Sequence, residues 1–247
     1  MPSSPESPSN PDEVRRSRDR GGLGWWWRRG LLHPRQLPGL GRYLWARLRH
    51  PEVRFEGFAF LGRGVELEVD RSRAELVIGR WAHIGDRTAL RAHEGTLRIG
   101  DKCVIGRDVV VNCHLSLEIG ASTLVADRCY LCDFDHRTDA LEVAIKDQGI
   151  VKSPVRIGAD CWIGAHVVVT RGTDLGDGSV AAALSVLRGP YPAGSIVAGT
   201  PAKVVADRRE RHRAAADVRA YVDGLGRNAA ERVRRVIAGE PVDDERE

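Results

Sequence analysis

The chain has 247 residues, 42% hydrophobic but only 6% aromatic, and a formal net charge of +4. A core for such a chain is built from Val, Ile, Leu and Ala, which suits a narrow interior of small aliphatic layers better than a broad sandwich, and the length suits one good-sized domain with appendages. Residues 21–50 carry six Arg and no acid, so the remainder sums to −2 (+4 less 6), and nothing about the main body points to nucleic acid.

The first twenty residues are rich in Pro, Ser, Asp and Arg and read as a disordered tail, 1–20. They are too polar for a secretory signal, and no apolar run is long enough to span a bilayer, so a cytoplasmic location is the expectation. Five cysteines, 103, 113, 129, 132 and 161, form an odd set that reads as reduced thiols, and Cys129-Tyr130-Leu131-Cys132 has no second pair to complete a metal site.

Residues 21–52 form a basic, Trp-rich segment in which Trp25, Trp26, Trp27, Leu31, Leu32, Leu40, Leu44, Trp45 and Leu48 alternate with Arg. Pro34 and Pro38 interrupt it, which predicts a short helical piece and then a second helix near 39–49. Two readings stand for this segment: a cap over the open end of the fold that follows, favoured because an exposed solenoid end must be covered, or a peripheral membrane contact through residues 25–49.

From 53 to 206 a period takes over. Ile78, Ile99, Ile119 and Ile157, each followed by Gly, fall 21, 20 and 38 residues apart. Within each interval runs a finer step of six: Ile78, Ile84, Leu90; Ile99, Ile105, Val111; Ile119, Val125, Leu131; and Ile157, Ile163, Val169, Leu175, Ala181, Leu187. A step of six over this length does not fit a helix; it fits short strands alternating with corners, one large residue pointing inward per strand. A repeat near twenty marks a solenoid of stacked coils, so the expected fold class is an all-β solenoid with helical appendages at both ends. Residues 53–70, with Leu61-Gly62 and Val65, read as a degenerate first coil. After Pro201 the texture changes, and 205–223 and 228–238 read as C-terminal helices within an appendage and tail, 207–247.

The register breaks once, between Leu131 and Pro154, where twenty residues exceed one coil. A long excursion from a regular scaffold is a place to look for chemistry, and this one opens with Cys132-Asp133-Phe134-Asp135-His136-Arg137-Thr138-Asp139.

These hexads, with the loop motif Asp135-His136-Arg137-Thr138-Asp139, the phrase Gly158-Ala159-Asp160-Cys161-Trp162-Ile163-Gly164-Ala165 and the closing Ala198-Gly199-Thr200-Pro201-Ala202-Lys203, resemble the hexapeptide-repeat acyltransferase family. The likeness covers roughly residues 60–206 and is strongest to the branch of galactoside and maltose acetyltransferases and polysaccharide O-acetyltransferases. It implies a left-handed parallel β-helix, an O-acyltransferase, most simply an acetyltransferase, moving an acyl group from acetyl-CoA or another acyl-CoA to a sugar or polysaccharide hydroxyl, and a homotrimer with intersubunit active sites. No metal is expected, because Cys129-Tyr130-Leu131-Cys132 has no second pair or nearby His-x-x-x-His.

A hydroxyl attacking a thioester must lose its proton as the bond forms, and a neutral imidazole is the usual acceptor, which makes His136 the candidate general base. Asp133 and Asp135 are candidates to orient it or to bind the acceptor, with Asp139 as a further loop carboxylate. The resemblance places Asn112 and His114 against the sugar. For the donor it points to Trp162, Ala165 and Ala183 along the pantetheine arm and to Arg188, Thr200 and Lys203 nearer the nucleotide. One departure is Leu184, where the family pattern has Gly. Cys132, four residues before His136, raises a covalent acyl-enzyme, whereas the family implies direct transfer. The alternatives are an N-acyltransferase on an amino-sugar, a non-catalytic β-helix scaffold or binding module, and a hexapeptide-repeat carbonic anhydrase, whose histidine spacing His114, His136 and His166 do not display.

Overall fold

A computed structural model describes residues 37–210 and 213. The chain winds into a prism whose three faces are parallel sheets, each coil giving one strand to each face. The first face takes Val53–Phe55, Ala74–Ile78, Gly95–Ile99, Ser116–Ile119, Val155–Ile157, Asp174–Leu175 and Pro190–Tyr191. The second takes Phe60–Leu61, His83–Ile84, Val104–Ile105, Leu124–Val125, Trp162–Ile163, Val180–Ala181 and Ser195–Gly199. The third takes Glu66–Val69, Ala89–Ala92, Val110–Cys113, Tyr130–Cys132, Val168–Val169 and Val186–Leu187.

Every residue of the step of six points into this prism. Ile78, Ile99, Ile119, Ile157 and Leu175 stand in register on the first face, Ile84, Ile105, Val125, Ile163 and Ala181 on the second, and Leu90, Val111, Leu131, Val169 and Leu187 on the third. All of them are at most 2% exposed. Each large side chain so buried contributes about 1.5–3 kcal/mol, so the three columns are the main source of stability. The first coil is complete rather than degenerate: from Leu61 the step of six lands on Leu67, which is buried, while Val65 stays partly exposed.

The corners explain why small or polar residues follow each inward aliphatic. A Cβ on Gly85 would lie 2.3 Å from the Gly106 carbonyl oxygen of the next coil, so the backbones can stack only without one. Two residues later the chain turns through the left-handed region, and nine such positions carry side chains: Trp81, Lys102, Ser122 and Asp160 at the first-to-second corner, and Arg87, Asp108, Arg128, His166 and Leu184 at the second-to-third. That conformation costs a residue with a Cβ about 1–2 kcal/mol. It is offset at each position by an N–H donated to the preceding coil, as from His166 to Asp127 O at 3.1 Å and from Leu184 to Ala165 O at 3.0 Å.

The cysteines belong to the same packing. All five are free and buried. Cys103 and Cys161 share one inner corner position with Ala82 and Thr123, and burial pushes the Cys103 thiol up to about 11. They serve as small interior residues whose thiols meet backbone carbonyls, such as Gly120 O for Cys103.

Before the first coil lies helix α1, Leu37–Arg49, the expected second helix of the Trp-rich segment. The expected shorter piece before Pro34 falls outside the described residues. At the other end the expectation of a helix from 205 is corrected. Ala202–Asp207 folds back as a strand antiparallel to Ser195–Gly199, and helical geometry begins only at Arg208. The open edge of the second face supplies a full row of backbone partners, which overrides the local helical pattern of Val205 and its neighbours. The remainder of the expected C-terminal helices lies outside the described residues.

Candidate active site

The break in register is a hairpin. Phe134–His136 pairs antiparallel with Ile150–Lys152, and the segment between them, including a 3-10 turn at Ile145–Asp147, is exposed. Its neck is closed by the Ser153 N–H donating to Asp133 O at 2.9 Å. The hairpin leaves the prism at the third-to-first corner, where His93, His114 and Asp133 follow one another on successive coils.

Two ion pairs hold it on opposite sides. Lys152 pairs with Glu94 toward the earlier coils, and the ammonium holds the Glu94 carboxyl below the usual range. Toward the later coils Arg171 Nε donates to Asp135 Oδ2 at 2.6 Å. Asp135 is therefore turned toward Arg171, and it is the strand alternation at 134–136 that sends the neighbouring side chains elsewhere.

Asp133 is fully buried. Its carboxylate accepts the backbone N–H groups of His114 at 2.7 Å, Leu115 at 2.7 Å and Ser116 at 2.8 Å, with the Cys113 thiol at 3.4 Å. The thiol in turn is pushed up to about 12, by burial first and then by the Asp133 charge. Asp133 thus fixes the path of the 113–116 turn and with it the place of His114.

The rings above that turn form a column. His93 and His114 stack with centroids 4.6 Å apart, and Phe134 meets His114 edge-on at 4.4 Å and His136 at 6.2 Å. His114 Nδ1 is buried with no hydrogen-bond partner among the described residues, and burial, then the neighbouring His93, lowers the affinity of this imidazole for a proton. The His136 ring is exposed, and among the described residues no side chain or backbone group hydrogen-bonds it. One coil earlier Asn112 lies on the third face, its Nδ2 donating to the Tyr130 hydroxyl at 3.1 Å. Cys132 is 6% exposed, its thiol directed at Phe134 O at 3.5 Å, and burial raises its pKa, which works against a thiolate there.

The residues expected at the donor stand elsewhere. Trp162 projects from the second face and is 53% exposed. Ala165 and Ala183 occupy the second-to-third corner one coil apart, and Leu184 beside them is 71% exposed. Thr200 Oγ1 donates to Leu184 O at 3.4 Å, and Lys203 lies on the strand paired with Ala198. Small corner residues thus lie beside an exposed indole. Arg188 does not join it. It follows Val186–Leu187 at the third-to-first corner, the same edge as the hairpin but two coils later. Within one chain, then, Asn112, His114, Asp133, Asp135 and His136 come together on one edge, and Trp162, Ala165, Ala183, Thr200 and Lys203 on another.

Sequence reasoning missed His93, Phe134 and Arg171. His93 and His114 are 21 residues apart, the coil period, and that spacing is the signal that could have placed them in one stack.

A prism of hexapeptide coils broken once by a histidine-bearing hairpin is the architecture expected of the hexapeptide-repeat acyltransferase family. The comparisons agree. Residues 154–186 match the model of the hexapeptide repeat of succinyl-transferase. The probable acetyltransferase Rv3034c of Mycobacterium tuberculosis is 54% identical over 179 residues, 72% of this chain and 60% of its own length. The putative colanic acid biosynthesis acetyltransferase WcaF of Escherichia coli is 31% identical over 145 residues, 57% of this chain and 77% of its own. Among solved structures the N-acyltransferase AntD from Bacillus cereus, in complex with dTDP and 3-hydroxybutyryl-CoA, shares the fold with a TM-score of 0.57 at 14% identity, covering 73% of this chain and 97% of that one. The chain belongs to the hexapeptide-repeat acyltransferase family. It spans under two thirds of the length of its mycobacterial relative.

Proposed function

We propose that this chain transfers an acyl group, acetyl in the simplest case, from acyl-CoA to a hydroxyl of a sugar or polysaccharide, with His136 as the general base. The observation that carries this reading is the state of His136: a ring at the lip of the hairpin, open to solvent, met edge-on by Phe134 and hydrogen-bonded by no described group. The acceptor oxygen attacks the thioester carbonyl carbon while its proton passes to the imidazole. The tetrahedral intermediate then collapses with breakage of the carbon–sulfur bond, and the imidazolium returns the proton to the departing thiolate. His114 and Asn112 flank the acceptor side, with His114 kept neutral. Asp133 acts at one remove, by holding the 113–116 turn, and Asp135 by steering the hairpin through Arg171.

Trp162, Ala165, Ala183, Thr200 and Lys203 receive the donor. Because they lie on a different edge from His136, a complete site needs a second copy to bring its donor edge to this hairpin, which supports a homotrimer. The outward row Val104, Leu124 and Trp162 on the second face, 40%, 46% and 53% exposed in the single chain, supports packing of that face between subunits. A carbohydrate acceptor is supported by the colanic acid role in the name of WcaF. An N-acyl transfer to an amino-sugar is the second reading, favoured by the fold shared with AntD, and the same base serves it. No described helix is long and apolar enough to cross a membrane, and among the described residues no cluster of His, Cys, Asp or Glu is arranged to hold a metal ion. A cytoplasmic location, where acyl-CoA is made, is part of the proposal.

The test is thiol release from a panel of acyl-CoA donors against mono- and polysaccharide acceptors, paired with mass spectrometry of the product. Acylation at a hydroxyl supports the reading, acylation only at an amine moves it to the second, and no transfer to any acceptor by a chain that binds acyl-CoA overturns it.

A further inference from the structure

Helix α1 is apolar on two sides, and among the described residues only one of them is packed against the fold. Its inner side closes the first coil. Tyr43 is 6% exposed, meets Phe55 and Phe58 edge-on at 5.4 and 4.9 Å, and donates its hydroxyl to Gly57 O at 2.9 Å. Ala46 is buried beside it, and Arg42 Nε donates to Leu61 O at 2.6 Å. Among the described residues these contacts cap the end of the solenoid.

On the other side Leu40, Leu44 and Leu48, spaced four apart, form a row with Trp45 next to it, and they are 41%, 53%, 84% and 61% exposed. The charged residues of the helix are Arg42, Arg47 and Arg49, with no acid among them, and the Arg49 guanidinium sits over the Trp45 ring at 5.9 Å. The same bias runs through the sequence around it, with six Arg and no acid over residues 21–50, together with Trp25, Trp26 and Trp27.

We propose that the outward face of α1 is a peripheral binding surface for an anionic lipid bilayer. Leucines and an indole enter the boundary between headgroups and acyl chains, and arginines at the flanks pair with lipid phosphates. Thirteen residues of helix extend about 20 Å, enough to lie in that boundary and too short to cross the bilayer. The charge pattern favours this occupant over the same face of a second copy, since two such faces brought together would set Arg47 and Arg49 against their own equivalents with no acid to relieve them. The surface is separate from the acyl-transfer edge, so its test does not rest on turnover.

The experiment is co-sedimentation of the full chain with vesicles of phosphatidylcholine alone and of phosphatidylcholine mixed equally with phosphatidylglycerol. The parent is expected to sediment with the mixed vesicles, to stay in solution with the neutral ones, and to be released as salt is raised. Leu44→Glu combined with Leu48→Glu is expected to weaken the association about a hundredfold or more while melting with the parent, because both side chains are already in water. Leu141→Glu, at an exposed residue of the hairpin excursion, is expected to bind as the parent does. The proposal is overturned if the parent ignores the mixed vesicles, if the double variant binds them equally well, or if the double variant instead lowers the mass seen in sedimentation of a parent that shows no vesicle binding.

Discussion

The buried carboxylate of Asp133 accepts the backbone N–H of His114 at 2.7 Å, across one turn of the solenoid. With the N–H groups of Leu115 and Ser116 on the same carboxylate, a single side chain replaces the strand pairing that the hairpin interrupts at this corner. Asp133→Ala leaves three donors without partners, and a cost of about 2–4 kcal/mol is expected in urea unfolding. Asp133→Asn keeps one acceptor oxygen and is expected to fall between. Amide exchange at residues 114–116 reports the same loss locally, and an Asp133→Ala protein as stable as the parent contradicts this role.

His136 presents the opposite case. Its ring is exposed and makes no described hydrogen bond, so His136→Ala and His136→Asn are expected to melt with the parent. Loss of the base is expected to lower kcat by about 10²–10⁴ with KM for acyl-CoA little changed. Stopped turnover with an intact melting curve is the signature; near-parental turnover would remove His136 from the mechanism.

The step of six was legible because inward aliphatics at Ile78, Ile84 and Leu90 and the Gly residues after them answer to one local requirement, a large side chain inside and a bare backbone at the corner. The excursion, though not its hairpin pairing, was legible for the converse reason, since Ile119 and Ile157 are too far apart for one coil. The roles of Asp133 and Asp135 were not. Both looked like loop carboxylates, and what separates them is a partner at a distance, the 113–116 turn for one and Arg171, 36 residues on, for the other. Burial of Asp133 follows from the stacking of coils, which a pattern of residue types does not encode. The strand at Ala202–Asp207 escaped notice for a similar reason, because its pairing partner is the open sheet edge rather than its own neighbours.

The pairing of Arg171 with Asp135 joins the hairpin to the next coil through groups that are partly in water, 23% and 41% exposed. Such a pair contributes about 0.2–1 kcal/mol to stability. Its larger effect is expected on the placing of His136, the next residue. Arg171→Ala and Asp135→Ala are each expected to lower kcat about tenfold or more, and the double variant no further, because either change breaks the same contact. Fully multiplicative losses in the double variant would mean that the two residues act separately.

His114 sets a dependence on pH. Burial, then His93, holds its imidazole below the ordinary value, so the folded chain resists the proton that the unfolded chain accepts near pH 6.5. Between those two values the unfolded state binds more protons. Stability is therefore fully present above about pH 6.5 and is lost as pH falls below it, until the folded imidazole also titrates. The urea midpoint of the parent is expected to drop between about pH 7.5 and about pH 5.5 by more than that of His114→Asn, which carries no titrating group there. Equal drops in the two proteins would exclude His114 as the source.

Leu184 stands where the family pattern has glycine, and the structure gives the reason that glycine suits the place: φ is +63°, and the residue shares the corner position of Arg87, Asp108, Arg128 and His166. A leucine there accepts the strain of the left-handed region and leaves its side chain 71% exposed beside Ala183 and Thr200, on the edge assigned to the donor. Leu184→Gly relieves the strain but frees the unfolded chain, two effects of about 1 kcal/mol each that oppose one another, so the melting temperature is expected to move little. The donor profile is expected to move more. On the proposed course of the donor an isobutyl group narrows the strip, and its removal is expected to lower KM for acyl-CoA and to widen the range of chain lengths accepted. Unchanged kinetics across acetyl, propionyl and butyryl donors would place the donor away from this corner and return Trp162, Ala165 and Ala183 to a packing role between subunits.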